Sequence, residues 1–549
     1  MKLRSLRFFL FCILSFPTLC RAATLTVTDC GDTVPGGATG QLRKLINQAS
    51  AGDTIVIPAC TITLQGAASE DGNQTGDLDF SIPLSLRGSG AGVSVIDGGG
   101  NDRVIDVIAS VNVAFSNLTL QNGKSPSGED GGGIRNIGNL TLSNATVTGN
   151  HSQGEGGGIA TSLGNLTLTN VVLNHNNSDF SGGGIKNSGS TLSLTNSTVD
   201  ENTAGNFAGG INNDSGTLNL INSTISANTA SGGVGGGLCN NATFNLTNST
   251  ISGNTATGGN GGGLYNANGT STLNNGTLAL NTGSAGGGVF TAAGSVIAAN
   301  TLLAGNTGAG SNDCSGTLTS QGYNLIQDPV GCALTGTSTG NITGVNPNLL
   351  PLADNGGATF THALPSGSAA LDKGNPVSPG SGGSACQAAD QRGLSRPQGS
   401  QCDIGAFEAG AIAQLSALSL SFPDQEVNKQ SASQSLTLTN AGILDLDITG
   451  ISTSTQFGQT NNCGSTLAPG ASCQIEVFFT PTTEGPQNGN LTMSDNAAGS
   501  PRSIALSGSG TGHSGGCALT EDVSPSSPPW TLFTTFLALF VFTFLRKRA

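Results

Sequence analysis

Apolar residues recur along the middle of this chain on two spacings, one nested inside the other. Leu140-x-Leu142 alternates as a half-buried strand does, with every second side chain turned inward. The same pair returns about every 26 residues, as Leu166/Leu168, Leu192/Leu194, Leu218/Leu220 and Phe244/Leu246, and a fixed period in this range marks a stacked repeat. Asparagines interrupt each run, first at Asn144, Asn170, Asn196, Asn222 and Asn248, then at Asn150, Asn176, Asn202, Asn228 and Asn254. Asparagine tolerates turns and left-handed backbone. A second phrase, Gly-Gly-Gly followed by an aliphatic residue, falls between copies: Ile134, Ile159, Ile185, Ile211, Leu238, Leu264 and Val289, with Ala208 replacing one glycine. Three short strands and three bends then make one coil. The pattern predicts an all-β fold, a right-handed parallel β-helix whose coils each add about 4.8 Å. Asparagine at one coil position predicts an amide ladder, with Asn144, Asn170, Asn196, Asn222 and Asn248 as its candidates, because buried polar turns need partners. The glycines supply positive φ where a coil bends sharply.

The pattern changes on both sides of the repeat. Residues 40–48 read as an amphipathic helix with Leu42, Leu45 and Ile46 inward, followed by a strand at 54–57. Such an element would close the open end of a coil stack, which every solenoid needs. From about Leu415 the glycine phrase stops, and alternating segments at 418–422, 434–439, 446–451, 473–479, 489–493 and 503–506 predict a β-sandwich.

Composition narrows the setting. Only 9% of the 549 residues are charged, 4% are aromatic and 85 are glycine. A net charge of −14 argues against binding nucleic acid through general electrostatics. Twelve cysteines point to an oxidising compartment. Cys30 with Cys60, Cys314 with Cys332, Cys386 with Cys402 and Cys463 with Cys473 are the candidate disulfides, while Cys239 reads as a small buried thiol. The chain starts with Lys2, Arg4 and Arg7, an apolar run at 8–19 and Cys-Arg-Ala, which predicts a signal peptide cleaved after Ala22.

Near the other end Gly515, Gly516 and Cys517 precede a Ser/Pro spacer, an apolar run at 530–545, and Arg546, Lys547 and Arg548. A helix over that run reaches about 24 Å, short of a hydrocarbon core of about 30 Å. This order resembles the tripartite C-terminal sorting tails of bacterial surface proteins. The resemblance implies export and C-terminal processing machinery, with attachment through Cys517. A permanent helical anchor in the membrane is the alternative. Either way the expected location is the bacterial cell surface or outer membrane.

The phrases Gly-Gly-Gly-Ile-x-Asn and Asn-Ser-Thr-Ile-Ser-x-Asn-Thr-Ala resemble the repeats of polymorphic outer-membrane proteins. Residues 363–374 (Ala-Leu-Pro-Ser-Gly-Ser-Ala-Ala-Leu-Asp-Lys-Gly) and 390–408 (Asp-Gln-Arg-Gly to Cys-Asp-Ile-Gly-Ala-Phe-Glu) resemble the closing motifs of the choice-of-anchor Q domain, over roughly 23–410. Cys463, Cys473 and Val-Phe-Phe-Thr-Pro at 477–481 resemble Ig-like domains of the ASPM/Hydin type, also called choice-of-anchor D. The expected organisation is therefore a signal peptide (1–22), a cap and first coils (23–110), regular coils (111–345), a closing segment (346–410), an Ig-like β-sandwich (411–512), the Gly-Gly-Cys motif with its spacer (513–529) and an apolar helix with a basic tip (530–549).

Candidate chemistry is sparse. Between Arg135 and Arg392 there is no arginine, and the lysines are Lys186 and Lys373. The acids Glu155, Asp179, Asp200, Glu201 and Asp214 fall in bends, where solvated turn roles dominate. His151 and His175 follow bend asparagines in successive coils and would lie close together, but no third metal ligand joins them. The pairs Asp77/Asp79 and Glu129/Asp130 offer weak calcium binding at most. Arg87 and Arg103 read as support for the cap. Asp390, Arg392, Arg396, Asp403 and Glu408 read as a buried ion-pair network at the coil end. No catalytic, cofactor or metal residue is assigned, and no cofactor is expected. The expected function is structural or adhesive display, with glycans or surface proteins as partners and no nucleic acid. The rival is a polysaccharide lyase or glycoside hydrolase on the same scaffold, which would need carboxylates and a base stacked on one strand face.

Overall fold

The computed structural model describes residues 22–68, 71–497 and 499–512. The leader before Ala22, the Gly515-Gly516-Cys517 motif and the apolar run at 530–545 lie outside the described residues. Among those described, no helix is long and apolar enough to cross a membrane.

The repeat folds as a parallel β-solenoid. Two strand columns of each coil join into one 20-stranded sheet, a second sheet of 12 strands takes one strand per coil, and five short strands form a third. Register follows the sequence period directly: Ile134 pairs with Ile159, Ile185 with Ile211, and Leu166 with Leu192. Val147, Leu173, Val199, Ile225 and Ile251 stack likewise on the second sheet. These side chains are fully buried and form one continuous apolar column with the cap residues Leu42 and Ile46. Each coil alone would expose its aliphatic face, so neighbours supply the burial that holds it.

The amide ladder exists, but at a different coil position from the one expected. Asn144, Asn170, Asn196, Asn222 and Asn248 all take left-handed φ, between 45° and 53°. Their side chains project away from the core, and the amide-to-amide bond in this set runs from Asn170 to Asn144 (3.0 Å). Asn248 instead donates to the carbonyl of Ala389 (2.7 Å). The continuous ladder runs through the second set: Asn150 to Asn176 (2.9 Å), Asn176 to Asn202 (3.0 Å), then Asn202 to Asn228 and Asn228 to Asn254 (2.9 Å each). Left-handed backbone turns the first asparagine outward, whereas the second points under the coil, where an amide must be paired. A further buried ladder follows the glycine phrase, through Asn187, Asn213, Asn240 and Asn266.

The triplets divide their labour. Gly156 has φ +68°, and a Cβ on Gly157 would sit 2.3 Å from the carbonyl oxygen of Asn177. Ala208 occupies the first triplet position and adopts φ 56°, a conformation an L side chain rarely takes.

The helix Leu42–Gln48 caps the stack. Its Arg43 is fully buried, paired with Asp32 (2.8 Å), and donates to the carbonyls of Gly76 and Asp77. All four cysteine pairs are bonded, Cys30–Cys60, Cys314–Cys332, Cys386–Cys402 and Cys463–Cys473, and Cys239 is a buried free thiol.

Residues 346–410 do more than end the stack. They run back along the outer face of the second sheet. Thr224 donates to the carbonyl of Phe360 (2.7 Å), Thr250 to Gln391 (2.7 Å), and the N–H of Ala406 to Thr277 (3.0 Å). Leu302, Leu325, Leu364, Ile404 and Phe407 form a separate apolar cluster beneath them. The last domain pairs a four-stranded with a six-stranded sheet around Leu436, Ile475, Phe479, Leu491 and Ile504.

Candidate functional site

On the large sheet, the residue after each inward aliphatic of the glycine phrase points outward. Parallel register lines these residues up: Asp79, Asp106, Arg135, Ala160, Lys186, Asn212, Cys239, Tyr265 and Phe290. Residues about 26 apart in sequence thereby become neighbours about 4.8 Å apart in space. The column is sorted, with ion pairs at one end, polar groups in the middle and aromatics beyond. Tyr265 and Phe290 stack with centroids 5.4 Å apart and planes inclined by 5°.

Over the middle of this column lies a groove of about 770 Å³. Lys186, Asn212, Cys239 and Tyr265 form its floor, and loops ahead of the glycines supply Asp130, Glu155, Phe180 and Phe207. Phe180 is 56% and Phe207 41% exposed, a large apolar surface left facing solvent. The ammonium of Lys186 is buried, 2.8 Å from Glu155 and 3.6 Å from Asp214. Asn212 is buried too, and its Oδ1 accepts no hydrogen bond among the described residues. Burial pushes the Cys239 thiol up to about 12, which leaves it unreactive.

The ionic end of the column is a dense network. Arg135 contacts Asp106 at 2.5 Å and Asp71 at 3.5 Å. Arg103 pairs with Glu129 and lies 3.8 Å from both Asp77 and Asp106. Burial, then the charges of Asp102, Asp79 and Asp106, pushes Asp77 up to about 9. Burial likewise raises Asp106 against the pull of Arg135. Oxygens of Asp71, Asp79 and Asp106 come within 4.8 Å of one another, close enough to share a cation. Arg135 faces Asp71 and Asp106 of that set, and Arg103 lies 3.8 Å from Asp106. Of the two acid pairs singled out in the sequence, Glu129 pairs with Arg103 and Asp77 lies 3.8 Å from it, while Asp79 accepts the N–H of Asn73 (2.7 Å) and Asp130 that of Glu155 (2.8 Å).

His151 and His175 face acids rather than each other's ring nitrogens. Each pairs with an acid one coil on, His151 with Asp179 (3.0 Å) and His175 with Glu201 (2.6 Å), on the exposed surface. Arg396 pairs with Glu408 (2.6 Å) and donates to the carbonyls of Asp403 and Gly405. Arg392 pairs with Asp390 (2.7 Å) and lies 3.6 Å over the ring of Phe407. Burial, then the charge of Glu408, pushes Asp403 up to about 8, and burial also raises Glu408. This network lies within the covering segment rather than at the coil end. His362, which sequence reasoning missed, bridges the carbonyl of Leu350 (2.7 Å) and Ser252 (2.8 Å), and burial lowers its pKa. The groove was missed as well. The signal for it was a polar or aromatic residue one place after each glycine-phrase aliphatic.

Residues 424–509 match the family model of the HYDIN/CFA65/VesB-like Ig-like domain, so this segment agrees with the Hydin-type resemblance. No curated protein matches the chain. Among solved structures, the PL6 family alginate lyase AlyGC is similar over 70% of this chain and 60% of its own, at 13% identity and a TM-score of 0.30. The VesB protease of Vibrio cholerae is similar over 18% and 31%, at 20% identity and a TM-score of 0.16. A protein of unknown function from Porphyromonas gingivalis W83 is similar over 18% and 46%, at 13% identity and a TM-score of 0.17. The match spans less than two thirds of each of these three proteins. Similarity this low says nothing of activity.

Proposed function

We propose that this chain is an exported, surface-anchored β-solenoid protein that binds an extended glycan in the groove of its large sheet. One observation carries the reading: Phe180 and Phe207 border a floor of Lys186, Asn212, Cys239 and Tyr265 on a column that follows the solenoid axis. Sugar rings present an apolar face and a rim of hydroxyls. Sites that hold them answer with aromatic surface and a few placed polar groups. The Ig-like domain then serves as spacer or second contact, the leader directs export, and Cys517 is the attachment point.

A glycan array probed with the full chain tests the binding. Tyr265→Ala combined with Phe207→Ala should lower affinity for every retained glycan by at least about tenfold, roughly 1.4 kcal/mol. Unchanged affinity would place binding elsewhere. Mass spectrometry of the surface-isolated protein tests the anchoring. A start at Ala23 and loss of residues 546–548 are expected, and an intact Arg-Lys-Arg terminus contradicts processing.

Lys186 between Glu155 and Asp214 favours a second reading, catalysis on the bound glycan, because an ammonium and two carboxylates, groups able to exchange protons, meet there. New reducing ends or unsaturated products, lost in Lys186→Met, would establish it. Their absence across a polysaccharide panel leaves binding alone.

A further inference from the structure

The two ends of the solenoid are finished differently. At the first coils the helix Leu42–Gln48 closes the apolar column, and its Leu42 is fully buried. At the last coil Leu334 continues the column of Leu318, yet exposure rises from 1% at Leu318 to 37% at Leu334 because no coil follows. Val330, in the turn that leads into this strand, is exposed as well. The strand Cys332–Gly336 pairs with Cys314–Ser320 along one edge, and among the described residues no strand pairs with its other edge. A stack that ends in bare core and an open strand calls for a cover.

Backbone direction says what kind of cover fits. The N–H of Thr337 donates to the carbonyl of Ser320 (2.9 Å), and the carbonyl of Gly331 accepts from Gly316 (3.1 Å). Both therefore face the paired edge. Bonding directions alternate along a strand, which turns the N–H and C=O of Leu334 to the open edge. That edge also lacks the usual blocks to strand addition: from Val330 to Asn346 there is neither a charged residue nor a proline.

We propose that this edge is the contact surface for a second copy of this chain, the two last coils pairing antiparallel about a two-fold axis at Leu334. Leu334 is the middle residue of its strand, so such an axis sets it opposite its own copy. Each then donates its N–H to the other's carbonyl, the hydrogen-bonded pair of an antiparallel ladder. The two leucines cover one another, and the apolar columns meet end to end. The capped end has no exposed column to offer, so like ends pair and the assembly closes at two copies. The uncharged strip lets two chains of net charge −14 meet there without like charges in contact.

The test is sedimentation equilibrium of the full chain, in detergent that solvates the apolar run at 530–545, with amide exchange of residues 330–337 followed at low and high protein concentration. A dimer with a micromolar Kd is expected, and the Leu334 amide should become protected as the dimer fills. Leu334→Pro removes the N–H at the open edge and keeps the ladder to 314–320. It should weaken the dimer by at least about tenfold, with Tm at low concentration unchanged. Leu334→Lys and Leu334→Glu should each be monomeric, and mixing them should restore a dimer, because like charges facing across the axis repel and opposite ones attract. A monomer at every concentration overturns the proposal, as does a dimer that persists undiminished in Leu334→Pro and Leu334→Lys. Protection of residues 330–337 that is already complete in the monomer also overturns it, since the cover then belongs to the same chain.

Discussion

Two outer faces of the same solenoid have opposite fates. On the large sheet the outward column carries Lys186, Asn212, Cys239 and Tyr265 and lies under an open groove. On the second sheet the corresponding outward residues are Thr224, Thr250, Thr277 and Leu302, and residues 346–410 cover them. Both faces come from one repeat with one core. The difference lies in the outward residues and the loops beside them: short hydroxyls and an aliphatic make a flat strip that backbone can dock on, whereas Lys186 and Tyr265, with Phe180 and Phe207 from the loops, line a trough. A repeat sets shape, and its outward residues set use.

Removing the anchor of the covered face should have the largest effect. Glu408→Ala strands Arg396 in the interior and should cost about 3–5 kcal/mol, read as a drop in Tm. The next comparison sets the buried ladder against the outward asparagines. Asn228→Ala leaves buried partners unpaired and should cost about 1–3 kcal/mol by urea unfolding. Asn196→Ala, on the bend, should cost about 1 kcal/mol for its left-handed backbone alone.

Asp77 sharpens the comparison through pH. Its carboxyl is protonated in the fold up to about 9 but ionises near 4 in the unfolded chain. The unfolded state therefore binds fewer protons between those values, so stability is fullest below about pH 4 and falls as pH rises toward about 9. The urea midpoint should decline across pH 5–8, and Asp77→Asn should flatten that slope by up to about 1.4 kcal/mol per unit. Phe207→Ala, on the open face, should change stability by only about 0.5 kcal/mol while reducing binding.

The solenoid was legible because its signal is redundant: each inward Leu or Ile repeats at a fixed interval, and register follows from it. The cap helix and the four cysteine pairs were legible for local reasons. The ladder was misplaced because both asparagine sets share one period, and backbone handedness, not spacing, decides which set points inward. The groove escaped because its members are single residues in separate coils. Lys186 and Asp214 look scattered until coils stack. The lateral path of residues 346–410 had no periodic signal at all, since its partners, Thr224 and Thr250, lie more than a hundred residues upstream.

Side-chain footprinting with hydroxyl radicals, with and without a glycan retained on the array, tests the contrast between the two faces most directly. Phe360, 53% exposed on the covering segment, serves as the control. Ligand should protect Phe180, Phe207 and Tyr265 and leave Phe360 unchanged. Protection of Phe360 with the three groove aromatics unaltered would contradict the account.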